Sequence, residues 1–480
     1  MQKNSIPHRA IASTISTPQP LVRHSRRAFL RLGVMLTASL AVSACVGAEQ
    51  SFVPSSNQPE VALTTQDPLS REEMQLVYQD WRTDWFPEVV EEMLAQFHTT
   101  HPEIRVFFTP DPEQLPDAML AEMAAGTAPD VFWGGSTFFP TWAQQGQMLD
   151  LRPYVAMDLD DITIAEWDPA QYRAFFLRDG RQFGLPKYHG AVALYYNKDL
   201  FDQAGVAYPT AAWRYADYLT AMRDLSRDSS DGQRETWGSM VDIAWDRLQI
   251  HVNGWGGHFV APDDPTHCSL DEPNALAALA WLRTAMWEER VIATFPDVQY
   301  MSPRSAFINQ RVAMVEEGSW GLKEILQNAD FRVGVAPMPM GPERRVTLAT
   351  ADGYGVYAGT VYPDAAWDLV QFLTGPAYGL ALAEADLLQP ARASLVKAWI
   401  AFVQAAFPVQ AQEIDLAVFA DSHFQGYSVT AEIADNMAEV EPKVTAAFDK
   451  IFTLGQAPVS HLRTVCAQIN QRQQQPPFAE

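Results

Sequence analysis

From Gln75 onward, short apolar runs alternate with longer stretches whose apolar residues recur every three or four positions. Leu76-Val77-Tyr78 reads as a strand that ends in Asp80-Trp81. Phe86, Val89, Val90, Met93, Leu94 and Phe97 then make the apolar stripe of a helix, with Asp84 and Pro87 placed to start it. Residues 104–108 read as the next strand, and Leu115, Met119, Leu120 and Met123 as a second helix closed by Gly126 and Pro129. Residues 130–133 are a third strand, followed by Gly134-Gly135-Ser136 and a helix up to Gly146. Strands and helices alternating at this spacing predict βαβ units and a mainly parallel sheet. Ligands of such sheets bind at the carboxyl ends of the strands, where Trp81, Trp133, Gly135 and Ser136 fall.

A second series starts near Gly184-Leu185-Pro186. Residues 192–196 read as a buried strand, and Leu200-Phe201 opens a short helix closed by Gly205. A helix carries Trp213, Tyr218, Leu219 and Leu225, and the Trp- and Gly-rich residues 237–257 read as loop. An Ala-rich helix follows Pro273, and the strand 312–315 runs into the turn Glu317-Gly318-Ser319-Trp320-Gly321. Further strands are expected at 331–336 and 354–358, with a helix at 364–373 and mostly helix beyond. No repeat of solenoid or propeller period is present.

The formal charge is −24, and it is unevenly spread. Lys3, Arg9, Arg23, Arg26, Arg27 and Arg31 give the first 44 residues +6, so the remainder carries −30. So acidic a body repels phosphate backbones, which excludes nucleic acid as a partner. With 48% apolar and 19% charged residues the composition is that of a globular protein. Ser25-Arg26-Arg27-Ala28-Phe29-Leu30-Arg31 precedes an uncharged stretch, 32–44, that ends Val42-Ser43-Ala44-Cys45. A basic segment, a short apolar one and small residues before a cut site make a secretory signal, too short to span a bilayer. The arginine pair resembles a twin-arginine signal, and Val-Ser-Ala-Cys resembles a bacterial lipobox in which Cys45 is acylated. Residues 1–44 are therefore expected to be a signal peptide and 45–70, with Pro54, Pro59 and Pro68, a lipidated flexible tether. The mature protein would be extracytoplasmic, lipid-anchored to a cell membrane and monomeric. Three cysteines in so long a chain exclude a disulfide scaffold. Cys268 and Cys466 are left either to pair, as that compartment permits, or to stay as separate buried thiols.

Signatures of covalent chemistry are missing. Neither a Gly-x-Ser-x-Gly elbow, nor a P-loop, nor His-Glu-x-x-His occurs. Gly353 to Ala358 matches a dinucleotide fingerprint in letters but reads as a strand. Asp158, Asp160 and Asp161 lack the glycine and glutamate of a calcium loop and are expected as helix caps. His251, His258, His267 and Cys268 fit no zinc spacing and are read as polar loop residues. Neither a metal nor a cofactor is expected. Asp80, Glu316 and Asp352 at strand ends keep a glycoside hydrolase open as an alternative.

At Gly184-Leu185-Pro186, Leu194-Tyr195-Tyr196-Asn197-Lys198-Asp199-Leu200-Phe201 and Ala204-Gly205 the chain resembles the extracellular solute-binding proteins of ABC importers, family 1, the carbohydrate-type class. The match runs in order through Pro129-Asp130-Val131, Gln145-Gly146-Gln147-Met148-Leu149-Asp150-Leu151, Ala313-Met314, Gly318-Ser319-Trp320, Val333-Gly334-Val335-Ala336-Pro337-Met338-Pro339 and Pro363-Asp364-Ala365-Ala366-Trp367. Asp352-Gly353, where the family often has a glycine pair, and the Trp-rich 237–255 depart from it. The resemblance implies a two-lobed periplasmic-binding-protein-like α/β fold of type II, each lobe a mainly parallel sheet flanked by helices, with the ligand cleft between them. Lobe 1 would comprise 71–183 plus 334–374, and lobe 2 184–333 plus 375–480. Hinges are expected near 184–188, 332–337 and 373–376, each beside Gly or Pro.

The implied function is capture of a sugar or oligosaccharide and its delivery to the transmembrane permease of an ABC importer, without catalysis. Sugars present apolar C–H faces and a ring of hydroxyls, so their site needs flat aromatic platforms with fixed donors and acceptors. The 14 tryptophans include many in loop-like contexts. Trp81, Trp133, Tyr188, Trp245, Trp255 and Trp320 are the candidate platforms, and Asp80, Ser136 and Asp352 the candidate polar partners. A receptor for a glycerol phosphodiester or other polyol phosphate is the rival among binders; it would need a cation in the cleft, with Arg392 the candidate.

Overall fold

The computed structural model describes residues 73–112, 115–135 and 137–473. The expected signal and tether, Cys45 and Ser136 lie outside the described residues.

The first alternating series folds as expected. Strand β1 (Met74–Asp80), helix α1 (Phe86–Thr100), strand β2 (Ile104–Pro110), helix α2 (Leu115–Ala125), strand β3 (Val131–Gly135) and helix α3 (Phe139–Gln144) follow one another. β1 pairs in parallel with β2 and with β3. The strand Asp352–Val356 then joins β3 antiparallel, and β4 (Leu185–Pro186) closes that edge. The stripe read from the sequence is the buried face: Phe86, Val90, Met93, Leu94 and Phe97 pack with Leu76, Tyr78 and Tyr354.

In the second sheet the order is Ile292–Ala293, Arg234–Met240, Val312–Gly318, β5 (Val192–Asn197) and Val333–Ala336. All six residues of β5 are buried. Leu194 and Tyr196 face a core with Tyr218, Met222, Leu248 and Met314, while Ala193 and Tyr195 face one with Met240, Val315, Trp399 and Phe419. A continuous apolar run marks a strand covered on both faces, and alternate side chains supply the two cores.

Both sheets are mixed rather than mainly parallel. β5 runs antiparallel to both neighbours, Val312–Gly318 and Val333–Ala336. The reason is connectivity. Asp352–Val356 and β5 each enter their sheet directly from the other one, and a strand that arrives across the gap points opposite to those built by local βαβ winding.

The crossings differ in part from the expected hinges. The chain leaves the first sheet after β4 and enters the second at Val192. Val333–Ala336 is still paired to β5, so the return crossing comes later, through Thr347–Leu348 to Asp352. Helix Pro376–Asp386 packs Tyr378 and Leu382 into the first core, so the third crossing follows it, near 387–391, and not at 373–376. Thr350 N–H donates to Gly190 O (2.8 Å) and His189 N–H to Gln389 O (2.9 Å), which ties the crossings side by side.

The Trp- and Gly-rich stretch read as loop is a strand and a helix, Arg234–Met240 and Trp245–Gly254. His251, expected in a loop, is buried on that helix with Nε2 3.0 Å from Glu316, whereas His258 is a loop residue as expected, with Nδ1 2.8 Å from Glu432. Asp160 caps helix Asp161–Ile164 as expected, accepting from Thr163 N–H at 2.8 Å. Cys268 and Cys466 form a disulfide with Cα atoms 5.2 Å apart. Among the described residues no helix is long and apolar enough to cross a membrane.

Candidate functional site

β1 ends at Asp80, and the next residue, Trp81, meets Trp133 at the end of β3 with ring centroids 5.9 Å apart. Tyr188, on the first crossing, meets Trp81 edge to face at 5.5 Å. The Lys187 ammonium sits 3.1 Å from the Trp81 ring centroid and is ion-paired with Asp80; both charges are buried. A cation against the ring face and a carboxylate beside the cation lock the indole in place. Burial brings the Lys187 pKa down to about 8 against the pull of Asp80, and burial beside Asp80 pushes Asp111 up to about 7. Asp80 also accepts from the Tyr78 hydroxyl and is fully buried, so it supports the platform from behind and does not face the cleft.

Asp352 stands opposite Gly135 in the sheet register, beside this aromatic group. Burial raises the pKa of its carboxyl, and the Lys187 ammonium, with Tyr188, Thr350 and Trp133 nearby, opposes that shift. The facing wall comes from the second sheet. Trp320 lies in the turn after Val312–Gly318, half-buried, packed against the cores of both sheets. The Arg247 guanidinium lies 4.9 Å from its ring. A Cβ on Gly190 would come within 2.8 Å of that ring, so glycine at this crossing lets the indole lie flat against the backbone.

Three recesses run along this gap. One of about 320 Å³ is lined by Asp242, Arg247, Arg304, Glu316, Glu317 and Trp320. The next, about 140 Å³, is lined by Gly135, Thr137, Asp246, Thr350, Asp352 and Ala431. Ala431 also borders the third, about 460 Å³, between Pro140, Thr141, Phe176 and Arg178 on one side and Thr430 and Ile433 on the other. The first two adjoin through consecutive residues Asp246 and Arg247, so the polar groups form an elongated trough, not a single pit.

Of the residues expected from the sequence, Trp81, Trp133, Tyr188, Trp320 and Asp352 gather here. Trp245 does not: it is buried in the second core against Phe259 (4.8 Å), and its indole donates to Glu432 O at 2.9 Å. Trp255 caps the far end of the same helix and packs on Tyr215 (4.5 Å) and Trp281 (5.8 Å), also in that core. Arg392 lies outside the trough, its guanidinium over Trp167 and donating to Thr374 O at 2.9 Å. Arg247, Lys187, Thr350 and Asp242 were missed. Arg247 lies on helix Trp245–Gly254 and Asp242 in the loop before it, and neither has a sequence signal of its own.

The family model for the bacterial extracellular solute-binding proteins matches residues 80–380. The chain belongs to that family. This solute-binding protein is 28% identical over 295 residues to a binding protein of Brucella abortus, spanning 59% of this chain and 67% of the relative. It is 22% identical over 301 residues to a maltotriose-binding protein of Pyrococcus abyssi, 60% of this chain and 59% of that one. Among solved structures it resembles an ABC substrate-binding protein of Listeria monocytogenes in complex with cycloalternan, with TM-score 0.71 and 23% identity over 83% of this chain and 99% of that one. The two-sheet architecture of this solute-binding protein is thus the family's two-lobed fold.

Proposed function

We propose that this solute-binding protein captures a sugar, and an oligosaccharide in preference to a monosaccharide, between its two sheets and hands it to the permease of an ABC importer. What supports this reading is the aromatic group of Trp81, Trp133 and Tyr188 on the first sheet, packed beside Asp352, with Trp320 and Arg247 bordering the trough from the second. Aromatic faces take the C–H surface of a pyranose, and the fixed polar groups take its hydroxyls. An elongated trough suits several linked units, and a relative named as a maltotriose-binding protein supports the same class. A phosphate diester is disfavoured: Arg247 and Arg304 are outnumbered in the nearest recess by Asp242, Glu316, Glu317 and Glu324.

We further propose that residues 1–44 direct export, that Cys45 carries the lipid, and that 45–70 tether the binding domain. The lobes are defined by the two sheets, with the crossings at 187–191, 348–352 and 387–391 acting as hinges. Acyl chains would supply the anchoring free energy at about 0.8 kcal/mol per buried methylene. Native mass spectrometry of protein purified without denaturation, followed by calorimetric titration with the sugar so identified, tests the ligand class. Retention of a phosphodiester, or no binding across a panel of oligosaccharides, would overturn it. Cys45→Ser should yield protein with no acyl mass at its N-terminus.

A further inference from the structure

On the crossings, where they meet the C-terminal segment, three side chains converge that the sugar-binding reading does not use. Asp168 caps helix Pro169–Arg173, His189 lies on the first crossing, and His423 belongs to helix Val418–Gln425. One donor atom from each lies within 4.8 Å of the other two. His189 Nε2 is 3.6 Å and His423 Nδ1 3.8 Å from Asp168 Oδ2. Both distances exceed hydrogen-bond reach. They are close to the ligand–ligand edge of about 3.4 Å that a tetrahedron with metal–ligand bonds of about 2.1 Å requires.

A second observation is independent of these spacings. His189 is 1% exposed, yet among the described residues neither of its ring nitrogens has a hydrogen-bond partner. Gln389 Oε1 is likewise buried and unpartnered, and Gln389 lines the same small cavity, about 10 Å³, as His189 and His423. That volume holds one water or one ion. Orphaned polar atoms at full burial are rare because each forfeits its hydration. Here one of them, His189 Nε2, faces Asp168, a carboxylate already oriented by Ser428 Oγ (2.6 Å) and the N–H groups of Ala170 and Gln171.

We propose that Asp168, His189 and His423, with Gln389 or water as fourth donor, bind one divalent transition-metal ion of the zinc class. Two imidazoles and one carboxylate favour zinc, cobalt or nickel over calcium or magnesium. The three ligands come from one helix cap, one crossing and the helix that precedes Ser428–Val429, which pairs with Thr347–Leu348 on the second crossing. The ion is therefore a structural clasp on the crossings.

The test uses the untagged mature chain, stripped with EDTA and titrated with Zn²⁺ by calorimetry. One equivalent should bind, and the thermal midpoint should rise by about 3–5 °C at a hundredfold excess over Kd. Co²⁺ substitution should give the intense visible bands of a tetrahedral site. His423→Gln, at a partly exposed position, should weaken binding at least about a hundredfold and abolish the Zn²⁺-dependent shift while leaving the stripped protein folded. If that variant fails to fold, the Co²⁺ spectrum of the wild type decides alone. Absence of binding at millimolar Zn²⁺, an octahedral Co²⁺ spectrum, or undiminished binding by a folded His423→Gln would each overturn the site. A midpoint that follows pH but not metal would replace it with a buried histidine proton switch.

Discussion

Trp320 and Trp245 look alike in sequence, each beside a polar turn, and the structure separates them. Trp320 presents its ring to the trough over Arg247, so Trp320→Ala should weaken sugar binding by about 1–3 kcal/mol, ten- to hundredfold in Kd, by analogy with base–aromatic stacking. Part of its surface packs on both cores, so a small drop in the melting midpoint is also expected. Calorimetry beside a thermal melt reads both; unchanged affinity would remove Trp320 from the site. Asp111 gives a pH-dependent prediction. Burial next to Asp80 raises its folded pKa to about 7 from an ordinary 3.8. Between those values the folded state holds the proton that the unfolded chain has released, so this group's contribution falls as pH rises from about 4 through 7. Urea unfolding across that range should show Asp111→Asn gaining stability over wild type toward pH 8 and little difference at pH 4. The reverse order would contradict the burial of Asp111.

Among elements, the helix Trp245–Gly254 departs most from the sequence reading. Tryptophan and glycine at its ends suggest loop, although Trp245, Leu248 and Val252 fall at i, i+3 and i+7. The helix is covered on nearly all sides, so the buried polar residues Gln249, His251 and Asn253 interrupt the apolar stripe. Its polar residues are paired, as burial demands: Gln249 with Thr430 O, His251 with Glu316, Asn253 with Glu432. Trp245→Ala should therefore cost about 3–5 kcal/mol of folding stability, read by urea or thermal unfolding, with the sugar affinity of the folded fraction unchanged. Loss of affinity without loss of stability would return Trp245 to the ligand. The opposite case is α1, whose stripe of Phe86, Val90, Met93, Leu94 and Phe97 was legible because only one face is buried.

At the level of the whole molecule, the Cys268–Cys466 disulfide joins residues 198 apart, tying the strand Asp264–Cys268 to the final helix His461–Gln473. By the chain-entropy argument, cross-linking a loop of that length stabilises by up to about 5 kcal/mol. Cys466→Ser, or reduction under mild denaturant, should lower the unfolding midpoint markedly, and a shift below about 1 kcal/mol would show that the helix docks without help. The alternation of strand and helix, the acidic body and the basic N-terminal segment follow from sequence alone, because each depends on residues within one helical turn or on a sum over the chain. The ordered set of family motifs was equally legible, since a helix start such as Asn197-Lys198-Asp199, where Asn197 caps the helix, keeps its local chemistry in any context. Tertiary structure alone decided which strands run antiparallel, where the chain crosses between sheets, and which tryptophans face the trough. It alone brought Asp168, His189 and His423 together across 255 residues of sequence. Such groupings depend on the return path of a chain that passes repeatedly between two sheets, and no local spacing encodes that path.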